Sequence, residues 1–458
     1  MKYDYLVAEI GSTTTVINCF SKDENGILSF CGQGFSPTTV LEGDVTVGLK
    51  GAIDSLKSNL GIKEIEYDKL LATSSAAGGL KMTVHGLVYD MTVKAAKEAA
   101  LGAGANIHYV TSGKLRRTDL AKIKEISPNI ILLAGGVNYG EKDTALYNAE
   151  KICQLQIHVP VIYAGNIENS EEIKLIFEEY NLFNYLYIVD NVYPRIDTLD
   201  VEPTRKVIQE VFEEHIIHAP GMDKIKSMVK GSIIPTPGAV MESTKLLNDI
   251  LGDVMTIDVG GATTDIHSVT DGSEEVSELL ISPEPKAKRT VEGDLGVYVN
   301  RKNIVSLIGI EKLEKLIGLD NIEALVDGIS PIPSTELERR IVKILTEEAV
   351  ITSTLRHAGG YRSIYGSSGR KNIAEGKDLT AVKYIIGTGG ALTRLESSIE
   401  ILSKISVLGN TDKLLPNKSV EILIDKLYIM ASLGVLAKEN REEALMLLMN
   451  SIGISKDG

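Results

Sequence analysis

The 458-residue sequence predicts an α/β protein built as two related halves in tandem. Three observations point there. The chain is too long for one hydrophobic core, so two or more domains are the default. "YDYLVAEIGSTTTVINCFSKDENG" (3–26) and "VMTIDVGGATTDIHSVTDGS" (254–273) share one plan: acid, aliphatic, Gly, small residue, then Thr-Thr. "PNIILLAGGVNYGEKDTALYNAEKI" (128–152) and "VKYIIGTGGALTRLESSIEIL" (382–402) both read strand, Gly-Gly turn, helix. Each half therefore carries a hairpin and then a strand–GG–helix unit, the mark of an internal duplication.

Taken in order, the first segment reads as strand, Gly turn, strand and polar turn. Val7 to Ile10 form a run that is apolar but for Glu9, Val16 to Phe20 are β-prone, and Asp23-Glu24-Asn25-Gly26 closes the unit. "DMTVKAAKEAALGAGA" (90–105) has an Ala-rich helical body that ends at glycines. "EPTRKVIQEVFEEHIIHAPG" (202–221) places Pro203 near a helix start and Pro220-Gly221 after its end. "SIIPTPGAV" (232–240) is the expected boundary, because its two prolines break regular structure. The expected domains are thus 1–235 and 236–458. Residues 300–350 are almost wholly helical in pattern and read as an insertion in the second domain. Within that region Thr335 and Glu338 stand at capping-box spacing, and Gly359-Gly360 ends the helix they open.

Composition narrows the function classes. A hydrophobic content of 43% and a charged content of 24% fit a soluble globular protein. The net charge of -14 argues against general nucleic-acid binding, which needs a basic face. The basic runs 114–122 and 286–289 are short and read as solvated surface. Cys19, Cys31 and Cys153 stand far apart with no CxxC pair, so a reduced, cytoplasmic setting is expected and no zinc or iron–sulfur cluster. "MKYDYLVAEIG" does not read as a signal peptide. No apolar run approaches the roughly 20 residues that span a bilayer, so no membrane partner is expected.

The Gly turns carry the chemistry. A Walker loop or a dinucleotide fingerprint needs a helix after the glycines, and here β-branched residues follow instead. What remains is a hairpin whose successive turn amides can hold an anion. Gly11, Gly260, Gly261 and Ala262 let phosphate oxygens reach the backbone, and Ser12, Thr13, Thr14, Thr263 and Thr264 add hydroxyl donors. Two such turns facing each other would grip a polyphosphate from both sides. Carboxylates at Glu9, Asp258 and Asp265 are the candidate catalytic groups; Asp258 and Asp265 would hold Mg²⁺ through its water shell. Gly387, Gly389 and Gly390 would admit the adenosine end. A lone Gly-Gly hairpin is usually only a turn; two matched ones, each with an acid two residues ahead, suggest an ATP site.

"EIGSTTT", "IDVGGATTD" and "IIGTGGA" resemble the phosphate-1, phosphate-2 and adenosine motifs of the actin-like ATPase superfamily. "SSAAGGLKM" (74–82), "AALGAGA" (99–105), "IIPTPGAV" (233–240), "GGATTDIHSV" (260–269) and "KRTVEGDLG" (288–296) resemble the MutL-type glutamate-mutase accessory proteins, the GlmL family. The resemblance runs nearly end to end. It implies an actin-like (ribonuclease H-like) fold, two duplicated α/β domains around a nucleotide cleft. It also implies an ATP- and Mg²⁺-dependent protein that reactivates an adenosylcobalamin-dependent amino-acid mutase, glutamate mutase or ornithine aminomutase. Three features depart from the expected pattern: Glu9 replaces the usual Asp, Val16 follows Thr15 where relatives carry Lys, and "AGGVNYG" (134–140) replaces "GGTDGG".

Other residues weigh less. His215 and His218 stand at i, i+3, a spacing commoner on a solvated helix face than in a metal site. His267 reads as structural, Lys81 as surface or phosphate contact, and Arg289, Glu292 and Asp294 as residues that line the cleft by resemblance. The rival functions are a small-molecule kinase on the same fold, an iron–sulfur activator and a nucleotide-binding scaffold without turnover. The helical segment 300–350 is the expected docking surface, because neither phosphate turn needs it.

Overall fold

The computed structural model describes residues 2–39, 43–75, 80–215, 222–229, 233–366, 369–408 and 412–454. The chain divides into two compact units. One holds Met1–Ala77, Pro220–Ile281 and Lys286–Gly458; the other holds Gly78–Ala219 and Ser282–Pro285.

The larger unit opens with β1 (Lys2–Ile10), β2 (Thr14–Lys22), β3 (Leu28–Pro37) and β4 (Glu66–Ser74). The chain then builds the smaller unit: β5 (Leu80–Gly86), β6 (Ala105–Ser112), β7 (Ile130–Leu133), β8 (Val161–Tyr163) and β9 (Leu186–Ile188). It returns with β10 (Ile233–Pro235), β11 (Val254–Val259), β12 (Thr264–Val269) and β13 (Ala287–Glu292). A hairpin of β14 (Gly360–Gly366) and β15 (Gly369–Glu375) precedes β16 (Tyr384–Thr388) and β17 (Glu421–Ile424).

Two sheets of the larger unit share one topology, β3-β2-β1-β4-β10 and β13-β12-β11-β16-β17. In each, three antiparallel strands are followed by two parallel ones. This repeated order is the actin-like, ribonuclease H-like arrangement, and its double occurrence is the duplication. The central strands are apolar on both faces, as strands covered on both sides must be: Leu6, Val7, Ala8 and Ile10 of β1 are fully buried, as are Val254, Met255 and Ile257 of β11. Each sheet is followed by a helix, Thr236–Leu251 after β10 and Met430–Leu436 after β17. These two pack so closely that a Cβ on Gly434 would stand 1.9 Å from the Ala239 carbonyl oxygen, so only glycine fits.

Region 300–350 holds helices Arg301–Ile308, Ile310–Ile317, Ile322–Asp327 and the start of Glu336–His357. The Thr335–Glu338 capping box is formed. Ile304, Leu313, Ile322 and Leu345 join Met255, Ile257 and Ile266 in one core.

The strand–GG–helix unit at 128–152 is not the counterpart of 382–402. Its strand, β7, and its helix, Asp143–Gln154, belong to the smaller unit's sheet, β6-β5-β7-β8-β9, which is parallel throughout. The strand equivalent to β16 is β4: Thr73 lies beside Glu9 as Thr388 lies beside Asp258. Strand, Gly turn and helix is the local look of any parallel crossover; which sheet it joins is decided by distant packing. The residues after β4, 76–79, lie outside the described residues, as do His218 and Pro220-Gly221. Residues 1–235 span both compact units, and 235/236 falls between β10 and its helix, inside the larger one.

Candidate functional site

The two hairpins match residue for residue and meet at their tips. In the first, Glu9 pairs with Val16 and Ile10 with Thr15, and the Gly11 amide closes the turn on the Thr14 carbonyl at 3.1 Å. In the second, Asp258 pairs with Asp265 and Val259 with Thr264, and the Gly260 amide closes on the Thr263 carbonyl at 2.9 Å. A Cβ on Gly261 would stand 3.0 Å from Thr13 Oγ1, which places the tips in contact. A Cβ on Gly11 would stand 2.7 Å from the Thr14 carbonyl oxygen, so that turn needs glycine.

Both tips line one cavity of about 240 Å³, far above the roughly 10–15 Å³ that one water needs. The carbonyls of Gly260, Gly261 and Ala262 are taken by Val297, Tyr298, Val299 and Asn300. The amides of Ser12, Thr13, Gly261 and Ala262 find no protein acceptor among the described residues, and all four residues line the cavity. Thr236 and Pro237 add the positive end of a 16-residue helix to the same wall. Unpaired amides and a helix N-terminus are groups that favour an anion.

Three carboxyls lie at or under the turns, in different states. Glu9 is 5% exposed. Its Oε1 accepts from Asn18 Nδ2 (3.2 Å), the Ser432 amide (3.0 Å) and Ser432 Oγ (2.6 Å). Burial outweighs those donors and pushes its carboxyl up to about 8. Asp265 Oδ1 takes two bonds from the buried Arg289, at 2.6 and 3.1 Å, and its Oδ2 accepts from Thr263 Oγ1. Asp258 accepts no hydrogen bond among the described residues. Burial, with the charge of Asp265, raises its carboxyl to about 7. It lies under the adenosine-motif turn: a Cβ on Gly389, whose φ is +86°, would stand 2.3 Å from Asp258 Oδ1.

Of the expected site residues, the cavity wall contains Glu9, Gly11, Ser12, Thr13, Thr14, Asp258, Gly260, Gly261, Ala262, Thr263, Asp265 and Gly390. It does not contain Thr264, Gly387 or Gly389. Thr264 is fully buried and its hydroxyl donates to the Leu295 carbonyl. Gly387 faces the core, where a Cβ would press on Leu402 and Ile424. Gly389 serves the close approach to Asp258. The Ser12 hydroxyl donates to the Ser75 carbonyl. Glu292 and Asp294 are tied to Arg356 instead of facing the cavity. His267 is fully buried, and burial beside Arg289 keeps it neutral. Lys81 lies in β5, in the other unit.

Several wall residues escaped the sequence reading. Arg394 ends the short helix Gly389–Arg394, its guanidinium 4.5 Å from the Phe35 ring centre. Its position four residues after Gly390, one helical turn, was a usable signal. Tyr428 has a φ of +52° and lies near Gly390; nothing local announces it. Residues 329–333 and Arg339 also line the wall, so the helical region contributes to the cavity.

Fold and paired turns together define a protein of the actin-like ATPase fold. More narrowly, the chain belongs to the MutL protein family, whose model matches residues 5–452. It is 36% identical over 460 residues to "Protein MutL" of Clostridium tetanomorphum, covering 97% of this chain and 98% of that one. This bears out the resemblance read from the motifs. Solved structures are more distant. Nucleotide-free acetone carboxylase is 11% identical, with a TM-score of 0.41, over 95% of this chain and 70% of that one. Nucleotide-free diol dehydratase-reactivating factor is 11% identical, with a TM-score of 0.39, over 96% and 100%. Among the described residues, no helix is long and apolar enough to cross a membrane, and no three His, Cys, Asp or Glu side chains gather as a metal site.

Proposed function

We propose that this protein binds Mg-ATP between the two hairpin turns and uses it to reactivate an adenosylcobalamin-dependent amino-acid mutase, glutamate mutase or ornithine aminomutase. The observation that carries the nucleotide part is the pair of matched turns, whose unpaired amides line one cavity beside an unbonded carboxylate. The amides of Ser12, Thr13, Gly261 and Ala262 hold the phosphates, aided by the helix at Thr236. Asp258 is the carboxylate left for magnesium, held through its water shell, which would offset charge on the phosphates. Arg394, exposed at the cavity wall, supplies a cation on the adenosine side. Glu9 does not take the metal. It caps Ser432 on the helix after β17, so one half's hairpin is tied to the other half's helix.

That tie suggests how occupancy reaches the fold. Phosphate held by both tips favours one arrangement of the halves, and its cleavage removes contacts that favour it. The mutase reading rests on membership of the MutL family and on the motif resemblance. A kinase would need a second free carboxylate as base; Glu9 and Asp265 are both consumed by protein donors, which disfavours it.

The test is reactivation. A mutase inactivated with hydroxocobalamin is mixed with this protein, adenosylcobalamin and Mg-ATP. Activity should return, and should not return with a non-hydrolysable ATP analogue. Full recovery without nucleotide, or phosphate transfer to a small metabolite with no recovery, would contradict the proposal.

A further inference from the structure

The smaller unit carries a prepared surface that the nucleotide site does not use. Its sheet is parallel throughout, so the segments after β7, β8 and β9 emerge at one edge. That carboxyl edge is where open α/β sheets present ligand- and partner-binding loops. Here amide side chains lock the three segments together. Asn138 Oδ1 accepts from the Ile167 amide (3.1 Å) and from Asn191 Nδ2 (2.9 Å). Asn166 Oδ1 accepts from the Tyr139 amide (3.1 Å), and the Asn138 amide donates to the Pro194 carbonyl (3.0 Å). Asn166 and Asn191 are 0% and 4% exposed, so two of the three amide side chains are anchored in the interior, while the Ile167–Asn138 bond lies at the surface.

What the locked loops present is apolar. Tyr139 is 78% exposed, Ile196 68% and Ile167 52%. Tyr139 also has a φ of +64°, a left-handed conformation that suits Gly or Asn and strains an aromatic residue. Local folding gains nothing from an exposed tyrosine there, and strain of this kind clusters at binding sites. The surroundings are acidic. Segments 134–142, 164–168 and 189–202 carry six carboxylates against two cations, Lys142 and Arg195.

We infer that this edge is the docking surface for the protein partner, and that the partner offers an apolar recess for Tyr139 ringed by Lys and Arg. The occupant named here rests on the mutase reading above. An aromatic anchor on a rigid support is the usual energetic centre of an interface, and the acidic rim speeds and orients the encounter. The helical region at 300–350, the dock expected from sequence, lends residues 329–333 and Arg339 to the cavity wall.

The experiment measures binding of the full-length chain, with Mg-ATP, to purified glutamate mutase and ornithine aminomutase. Tyr139→Asn suits the left-handed backbone, so its melting temperature should be no lower than wild type and its Mg-ATP affinity unchanged. Its mutase affinity should fall by about tenfold or more. Asp190→Asn with Asp197→Asn should slow association and flatten its salt dependence. Wild-type binding by Tyr139→Asn and by Ile167→Ser/Ile196→Ser would overturn the docking surface while leaving the reactivation reading intact. Loss of binding on Leu316→Ser instead would move the dock to the helical region and also overturn it. If the wild type binds neither mutase, the reactivation reading and this surface fall together.

Discussion

Beneath turns of the same geometry, the first hairpin places a valine where the second places an aspartate. Val16 stands opposite Glu9 and Asp265 opposite Asp258. Glu9 is consumed by Asn18 and Ser432, and so joins the halves. Asp265 is neutralised by Arg289, and Asp258 accepts no hydrogen bond among the described residues. The duplication has kept the backbone of both turns, while the carboxyls below differ: one is bonded to the other half's helix, one is paired with Arg289, and one accepts no hydrogen bond among the described residues.

The second hairpin's ion pair should show the largest loss of stability when broken. Arg289 is 1% exposed and Asp265 4%. Arg289→Met would leave a buried charge unpaired and should cost about 3–5 kcal/mol in urea unfolding. Copying the first hairpin with Asp265→Val as well should recover most of that loss. A cost under about 1 kcal/mol for the single variant would show that the pair is not shielded as described.

Glu9 gives the next effect. Glu9→Ala strands the Asn18 and Ser432 donors and should cost about 1–3 kcal/mol. Glu9→Gln keeps an acceptor and should cost less, with ATP turnover within about tenfold of wild type. A Glu9→Gln variant as dead as an Asp258 variant would mean that the first carboxyl also touches the reacting groups.

The turns themselves differ in tolerance. Gly11→Ala drives a Cβ against its own turn's backbone, and should destabilise by about 1–3 kcal/mol. Gly261→Ala meets the Thr13 side chain at 3.0 Å and the Tyr298 Cβ at 3.4 Å, and not its own turn's backbone. It should leave the melting temperature nearly unchanged while weakening ATP binding. Equal melting losses for both would contradict the asymmetry.

The smallest effect is on pH. Glu9 and Asp258 titrate near 8 and 7 in the fold, above their ordinary values, and burial raises Asp425 in the same sense. Their contribution to stability is complete below the ordinary carboxyl range, falls as pH rises from that range to those values, and is gone above them. The nucleotide-free protein should therefore melt lower at pH 9 than at pH 6, and Glu9→Gln with Asp258→Asn should flatten the slope. An unchanged slope would rule these groups out as its source.

The sequence revealed both turns because their chemistry is local: glycines, threonines and the acid two residues earlier lie within eight positions. It misread the Gly-Gly unit at 134–140, since local pattern does not say which sheet a strand joins. Arg289 was noticed, but not its grip on Asp265, which depends on the register of β12 against β13. Tyr428 and the loop 329–333 reach the cavity from far along the chain, by packing that no short motif encodes.

In the proposed site, Asp258 is the carboxylate left open for magnesium between two phosphate-gripping turns. Calorimetric titration of ATP into wild type and Asp258→Asn, each with and without Mg²⁺, tests it most directly. Wild type should bind ATP more tightly with Mg²⁺, and the variant should lose that gain while still binding metal-free ATP. An Asp258→Asn protein with wild-type affinity and wild-type Mg²⁺ dependence would rule Asp258 out as the magnesium carboxylate.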